Sequence, residues 1–196
     1  LDTGVMLNHD DLNGRFYNGG YDYSADGNEN AEYDKSCESV YFHGTFVSGI
    51  IANNTMDNVK IIPFKVVPFG TNVETLSSCI SAIYAATDMG VDVINASFTS
   101  SLGEASYQKA VDYAVDNGVC VCASAGNKGS LLTNSFPAMT PGVITVSALN
   151  SNLTGIANYS NYGAEVDFCA PGSSVNSAIP NIDGSSGYAS YSGTSF

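Results

Sequence analysis

Residues 119–125 read Val-Cys-Val-Cys-Ala-Ser-Ala, an uncharged run that constrains the fold more than any other feature of the chain. A strand with one face in water alternates apolar and polar residues. A strand covered on both faces is apolar almost throughout, which is the habit of parallel sheets wrapped by helices. The surrounding sequence fits this reading. From residue 59 onward, short β-branched runs predict strands at 59–67, 91–97, 119–125, 143–149 and 165–169. Segments of helical period predict helices at 73–89, with apolar Leu76, Ile80, Ile83 and Tyr84 on one side, and at 104–117. Gly90 and Gly118 stand where these helices should stop. Two βαβ crossovers follow, and the fold class is α/β with a mainly parallel sheet covered by helices on both faces. The first forty residues, rich in Asn, Asp, Gly and Tyr, read as long loops. No repeat or linker divides the chain, which reads as one domain or part of one.

Nineteen acidic against six basic side chains leave a formal net charge of −13, a field that repels nucleic-acid phosphate and anionic lipid. No nucleic-acid partner is expected. With 44% hydrophobic and 13% charged residues the chain can bury a core, which excludes a disordered segment. No transmembrane segment is expected, since no run approaches the roughly 18 apolar residues a spanning helix needs. No targeting signal is visible at Leu1 and the residues after it. Cys37, Cys79, Cys120, Cys122 and Cys169 lack the spacing of a zinc site or a disulfide framework. Cys120 and Cys122 fall on one face of the apolar strand, as buried and inert thiols. Thiol usage leaves the redox compartment open.

Three segments place a reactive side chain beside glycine. They are Leu1-Asp2-Thr3-Gly4-Val5, His43-Gly44-Thr45-Phe46-Val47-Ser48-Gly49 and Ser192-Gly193-Thr194-Ser195-Phe196. Each alone has an ordinary reading, as a turn, a core histidine and a loop. Together, in the order Asp, His, Ser, they supply what nucleophilic acyl transfer needs. A hydroxyl is inert until a base takes its proton, and an imidazole does so when a carboxylate fixes its tautomer. A fourth segment, Ala123-Ser124-Ala125-Gly126-Asn127, leaves an amide at the carboxyl end of the apolar strand, where α/β sheets build their sites. Such a donor can stabilise an oxyanion.

With these four segments in this order, the sequence resembles the subtilisin-like serine proteases, the subtilases, nearly end to end. Val93-Ile94-Asn95-Ala96-Ser97 is similar to the strand before the family's substrate-binding edge. Phe136-Pro137-Ala138 with Val143-Ile144-Thr145-Val146 resembles the segment closing the primary specificity pocket. Tyr159-Ser160-Asn161-Tyr162-Gly163 and Ala170-Pro171-Gly172 resemble the approach to the nucleophile. The resemblance implies a three-layer subtilisin-like fold and a serine endopeptidase working through an acyl-enzyme. In it Asp2 orients the imidazole, His43 is general base and then acid, and Ser195 is the nucleophile. Asn127 and the Ser195 N–H form the oxyanion hole. It also implies an extended peptide or protein substrate lying along Ser97, Phe98 and Thr99, with Ala123, Ser124, Ala125 and Gly126 as the facing wall. The uncharged walls favour small or medium apolar side chains at the cleaved position. No cofactor is required for the chemistry, and the implied location is extracellular or at the cell surface. A propeptide outside the chain is a further implied partner.

Four positions depart from the family pattern: Phe42 for a glycine, Phe46 for a second histidine, Phe196 for a methionine, and Thr99 for a glycine beside the primary pocket. None removes a catalytic group. The acidic run from Asp22 to Asp34 carries Asp26, Asn28, Asn30 and Glu32 at alternating positions, a spacing akin to a calcium loop but without the turn glycine and distal glutamate of an EF-hand. A solvated loop is the ordinary reading, Asp11 is a second weak candidate, and the metal site is unassigned. The 123–129 segment has neither Walker nor dinucleotide spacing.

The rival from another class is a catalytically silent subtilase-like domain that only binds peptides. A leader-processing enzyme or a transpeptidase would use the same residues, because hydrolysis and aminolysis diverge only at the acyl-enzyme. The family's first central strand and the helix after the serine are expected to lie outside residues 1–196. This piece is accordingly expected to be part of a peptidase domain and inactive by itself. Activity is expected to fall as pH drops through the His43 pKa, about 6–7 when unperturbed.

Overall fold

The computed structural model describes residues 1–24, 30–33, 35, 41–68, 70, 71 and 73–196. They form two compact units, one of residues 1–79 with 176–190, the other of residues 80–175 with 191–196.

In the second unit, β3 (Val93–Ala96), β4 (Cys120–Ser124), β5 (Val143–Leu149) and β6 (Phe168–Pro171) make a four-stranded parallel sheet in that order. Between β3 and β4 runs α3 (Glu104–Asp116). Its buried Tyr107, Ala110, Val111 and Ala114 recur at helical spacing and lie against β4. Gly103 (φ +92°) opens this helix and Gly118 (φ +80°) follows it, conformations that a Cβ would strain. β4 was expected to be buried throughout. Val121 and Ala123 are, but Cys120 and Cys122 on the opposite face are only half-buried, so that face of the sheet is partly open. Their sulfurs lie 4.0 Å apart, and burial, then the neighbouring Cys120, pushes the Cys122 thiol up to about 11, which keeps it protonated and unreactive at neutral pH. Cys37 lies outside the described residues.

The strand expected at 165–169 sits instead at Phe168–Pro171. Ahead of it the chain turns, with Val166 N–H on Gly163 O at 3.3 Å and the Asp167 carboxylate accepting Thr145 N–H at 2.8 Å.

In the first unit, β1 (Tyr21–Asp22) pairs in parallel with β2 (Phe64–Lys65). The strand expected over 59–67 shrinks to β2 because Pro63 has no N–H to donate and the neighbours on either side are short. On one side Asp2 N–H bonds Phe64 O and Val66 N–H bonds Asp2 O, both at 2.9 Å; on the other Tyr21 N–H bonds Pro63 O at 2.9 Å and Tyr23 N–H bonds Lys65 O at 2.8 Å. Lys65 is fully buried and pairs with the Asp22 carboxylate at 3.8 Å, fastening β1 to β2. Of the two expected crossovers, β3–α3–β4 closes within one parallel sheet.

Helix α2 (Leu76–Asp88) starts where Thr75 Oγ1 accepts Ser78 N–H at 3.1 Å, and Gly90 (φ +70°) follows its end. Its buried residues are Ser78, Cys79, Ala82, Ile83, Ala86 and Thr87, while Leu76, Ile80 and Tyr84 are half-buried. The covered face is therefore the small-residue stripe, about a quarter-turn from the expected one, because small side chains permit closer approach. The hairpin of β7 (Val175–Pro180) and β8 (Ser186–Tyr191) and helix α1 (His43–Asn53) were not foreseen as elements.

Candidate active site

Asp2 lies in the short pairing beside β2, and His43 opens α1. Two threonine hydroxyls tie these segments together: Thr3 Oγ1 accepts Gly44 N–H at 3.1 Å, and Thr45 Oγ1 accepts Met6 N–H at 2.9 Å. Close approach requires glycine. A Cβ on Gly44 would overlap Gly4 O and come 3.2 Å from Asp2 Cβ. The result is a 2.7 Å hydrogen bond between His43 Nδ1 and Asp2 Oδ1, an oxygen that also accepts Thr3 N–H at 2.8 Å. A carboxylate can only accept, so Nδ1 carries the proton and Nε2 of the neutral ring is the basic nitrogen. Burial by itself would raise Asp2 and lower His43. The attraction and hydrogen bond between them outweigh it, so the carboxyl lies below its usual range and the imidazole above its own. Relative to the unperturbed value, the His43 pKa is raised. Phe46, fully buried, meets Phe42 edge-on at 6.3 Å, so two of the departures form an aromatic contact flanking His43.

In the other unit, Ser195 sits in a turn closed by Phe196 N–H on Gly193 O at 3.3 Å. Its hydroxyl donates to Ser97 O at 3.0 Å, and Ser97 Oγ donates to Ser195 O at 3.2 Å. The serine is thus fixed at the carboxyl end of β3. Asn127 lies just beyond β4, exposed. Thr194 N–H and Thr194 Oγ1 both meet Asn127 Oδ1, at 2.8 and 3.0 Å, while Thr194 Oγ1 accepts Gly126 N–H at 3.0 Å. Because a backbone N–H must face an acceptor, the amide orientation is determined, and Nδ2 is left as its donating end.

Sequence reading missed these three threonines. Each lies within two residues of a catalytic candidate in its motif, and each hydroxyl accepts a backbone N–H from a distant segment. Their position in the motifs was the available signal.

The expected substrate walls come together at the ends of neighbouring parallel strands. Ser97, Ala123, Ser124, Ala125 and Gly126 are buried, Phe98 is half-buried and Thr99 is exposed. Thr99 Cγ2 lies 3.5 Å from where a Gly126 Cβ would stand, so the threonine methyl narrows the gap. Ser97, Ala123 and Ser124 of these walls also line a cavity of about 150 Å³ at Ser195, together with Cys122, Ser147 and Phe196 among others but not Thr99 or Gly126. Among the described residues no group of three or more His, Cys, Asp or Glu could hold a metal ion. Asp26 and Asn28 of the acidic run lie outside the described residues, and Asp11 accepts the Tyr188 hydroxyl at 2.7 Å. Among the described residues no helix is long and apolar enough to cross a membrane.

Residues 1–196 match the family model described as "Subtilase family". The whole chain aligns at 36% identity with 69% of subtilisin DY from Bacillus licheniformis. It aligns at 35% identity with subtilisin E from Bacillus subtilis (strain 168), where it spans half the relative's length. Among solved structures, a protease from Pseudoalteromonas arctica PAMC 21717 superposes over 99% of this chain and 71% of its own, with a TM-score of 0.85 and 28% identity.

Proposed function

Since the chain belongs to the subtilase family and has the fold and ancestry of a serine protease, we propose that it supplies the catalytic residues of an endopeptidase that cleaves extended peptides through an acyl-enzyme. The observation that carries this is the 2.7 Å bond from His43 Nδ1 to Asp2, which leaves Nε2 as a base. In the proposed reaction Ser195 Oγ turns from the Ser97 carbonyl and attacks the scissile carbonyl carbon as its proton passes to His43 Nε2. Asn127 Nδ2 and the Ser195 N–H stabilise the oxyanion. The C–N bond then breaks, and the imidazolium gives its proton to the departing amine. Water, deprotonated by His43, releases the acid. Asp2 stays ionised throughout and stabilises the imidazolium. Subtilase chemistry needs no cofactor.

Residues 97–99 and 123–126, without charge, suit a small or medium apolar side chain at the cleaved position. Residues 1–196 are read as part of one peptidase domain, in an extracellular or cell-surface protein made with a propeptide.

A fluorophosphonate probe tests the reading: on folded, peptidase-competent protein, mass spectrometry should find the adduct on Ser195, and His43→Ala should abolish it. Absence of labelling, or labelling indifferent to His43→Ala, would establish the silent peptide-binding domain instead.

A further inference from the structure

On the premise that Asn127 is the oxyanion donor, we propose that Asn161 is a positioning residue that sets where Asn127 points. Residues 125–130 leave the end of β4 beyond its last ladder bond, Ala125 N–H to Val146 O at 2.9 Å. From there the loop is held by Asn161. Its Nδ2 donates to Ala125 O at 2.8 Å, and its Oδ1 accepts Lys128 N–H at 2.9 Å and Ser130 N–H at 3.4 Å. Its backbone N–H donates to Gly126 O at 2.9 Å. These bonds grip the chain on both sides of Asn127 without touching the Asn127 amide, which Thr194 holds.

Asn161 is 5% exposed and is itself anchored: its carbonyl accepts the Ser147 hydroxyl, on β5, at 2.7 Å and the Ser160 hydroxyl at 3.1 Å. A rigid path therefore runs from β5 through Ser147 and Asn161 to the loop. Only an amide of this length fits the task. It donates at one end and accepts at the other, whereas aspartate has no donor and alanine has neither. Gly126 (φ +97°) completes the fit, because a Cβ there would lie 2.7 Å from Asn161 Nδ2. A donor moved by about 1 Å forfeits much of its effect on an oxyanion, on the order of 10²-fold.

The test is a double-mutant cycle in protein with measurable peptidase activity, reading kcat and KM on a chromogenic peptide. Asn127→Ala should lower kcat by roughly 10²–10³, the loss that removing an oxyanion-hole asparagine causes in subtilisin. Asn161→Ala should lower kcat by about 10–10²-fold with KM within about twofold, and the double variant should be no slower than Asn127→Ala. Should Asn161→Ala fail to melt cooperatively, Asn161→Ser, whose hydroxyl reaches at most one of the three backbone groups, carries the same expectation. An Asn161 loss that multiplies with that of Asn127→Ala, or an unchanged kcat, overturns the positioning role while leaving the oxyanion assignment standing. An Asn127→Ala variant as fast as the parent overturns both.

Discussion

At His43 two opposed effects meet, and their balance decides how the site responds to acid. Burial favours the neutral ring, but the Asp2 carboxylate at 2.7 Å favours imidazolium more, so the folded histidine holds its proton to higher pH than an ordinary one. The proposed reaction needs the neutral ring. The acid limb of kcat/KM should therefore fall as pH drops through a midpoint above the usual histidine value of about 6.5. Asp2→Asn should move that limb downward and, by leaving the wrong tautomer, cut kcat by roughly 10⁴. A limb that stays in place in Asp2→Asn would remove Asp2 from this role. Stability follows the same linkage with its own signs. The raised His43 pKa contributes stability that is full below its unfolded pKa and is lost as pH rises through the folded value. The depressed Asp2 pKa contributes stability above its unfolded pKa, lost as pH falls through the folded one. These residues were legible in the sequence because their chemistry is rare and their order restricted. The bracing by Thr3, Thr45 and Thr194 was not, since a hydroxyl accepting one distant N–H leaves no periodic trace.

Elements were legible where their pattern is local. β5 occupies 143–149 as expected, and α3 ends one residue early, its burial stripe and flanking glycines being properties of a single stretch of chain. Helix α1 escaped notice because Gly44 and Gly49 depress its intrinsic propensity. Both glycines are there for space. A Cβ on Gly49 would overlap Ser177 Oγ and lie 3.0 Å from Ala178 Cβ, where β7 crosses the helix and Ser177 Oγ bonds Phe46 O at 2.8 Å. On propensity alone Gly49→Ala would stabilise α1 by about 1 kcal/mol. Overpacking against β7 should reverse the sign and cost about 1–3 kcal/mol, read as a lowered Tm. An unchanged or raised Tm would mean that β7 yields without cost, and that the glycine is not a packing requirement.

Across the whole molecule, the first unit was the less legible because residues 176–190 return to it from far along the chain. His9 bonds Gly187 O at 3.0 Å, Tyr188 bonds Asp11 at 2.7 Å and Ser177 bonds Phe46, pairings between residues more than 130 positions apart that no local pattern encodes. Net charge is the one global property the sequence states outright, and it has a consequence for substrate capture. At −13 the surface carries a negative field, while the predicted walls at 97–99 and 123–126 contribute no charge to offset it. An approaching acidic peptide is repelled and a basic one attracted over a Debye length of about 10 Å at 0.1 M salt and about 30 Å at 0.01 M. Two peptides with the same residues at the cleaved bond, one flanked by lysines and one by glutamates, should therefore differ in kcat/KM by several-fold at about 0.01 M salt, with the lysine peptide ahead, and converge near 1 M. The difference should lie in KM, because distant flanking charge acts on capture and not on the transition state at the scissile carbonyl. A ratio indifferent to ionic strength would show that the flanking residues are read by local contacts, and that the acidic surface serves solubility alone.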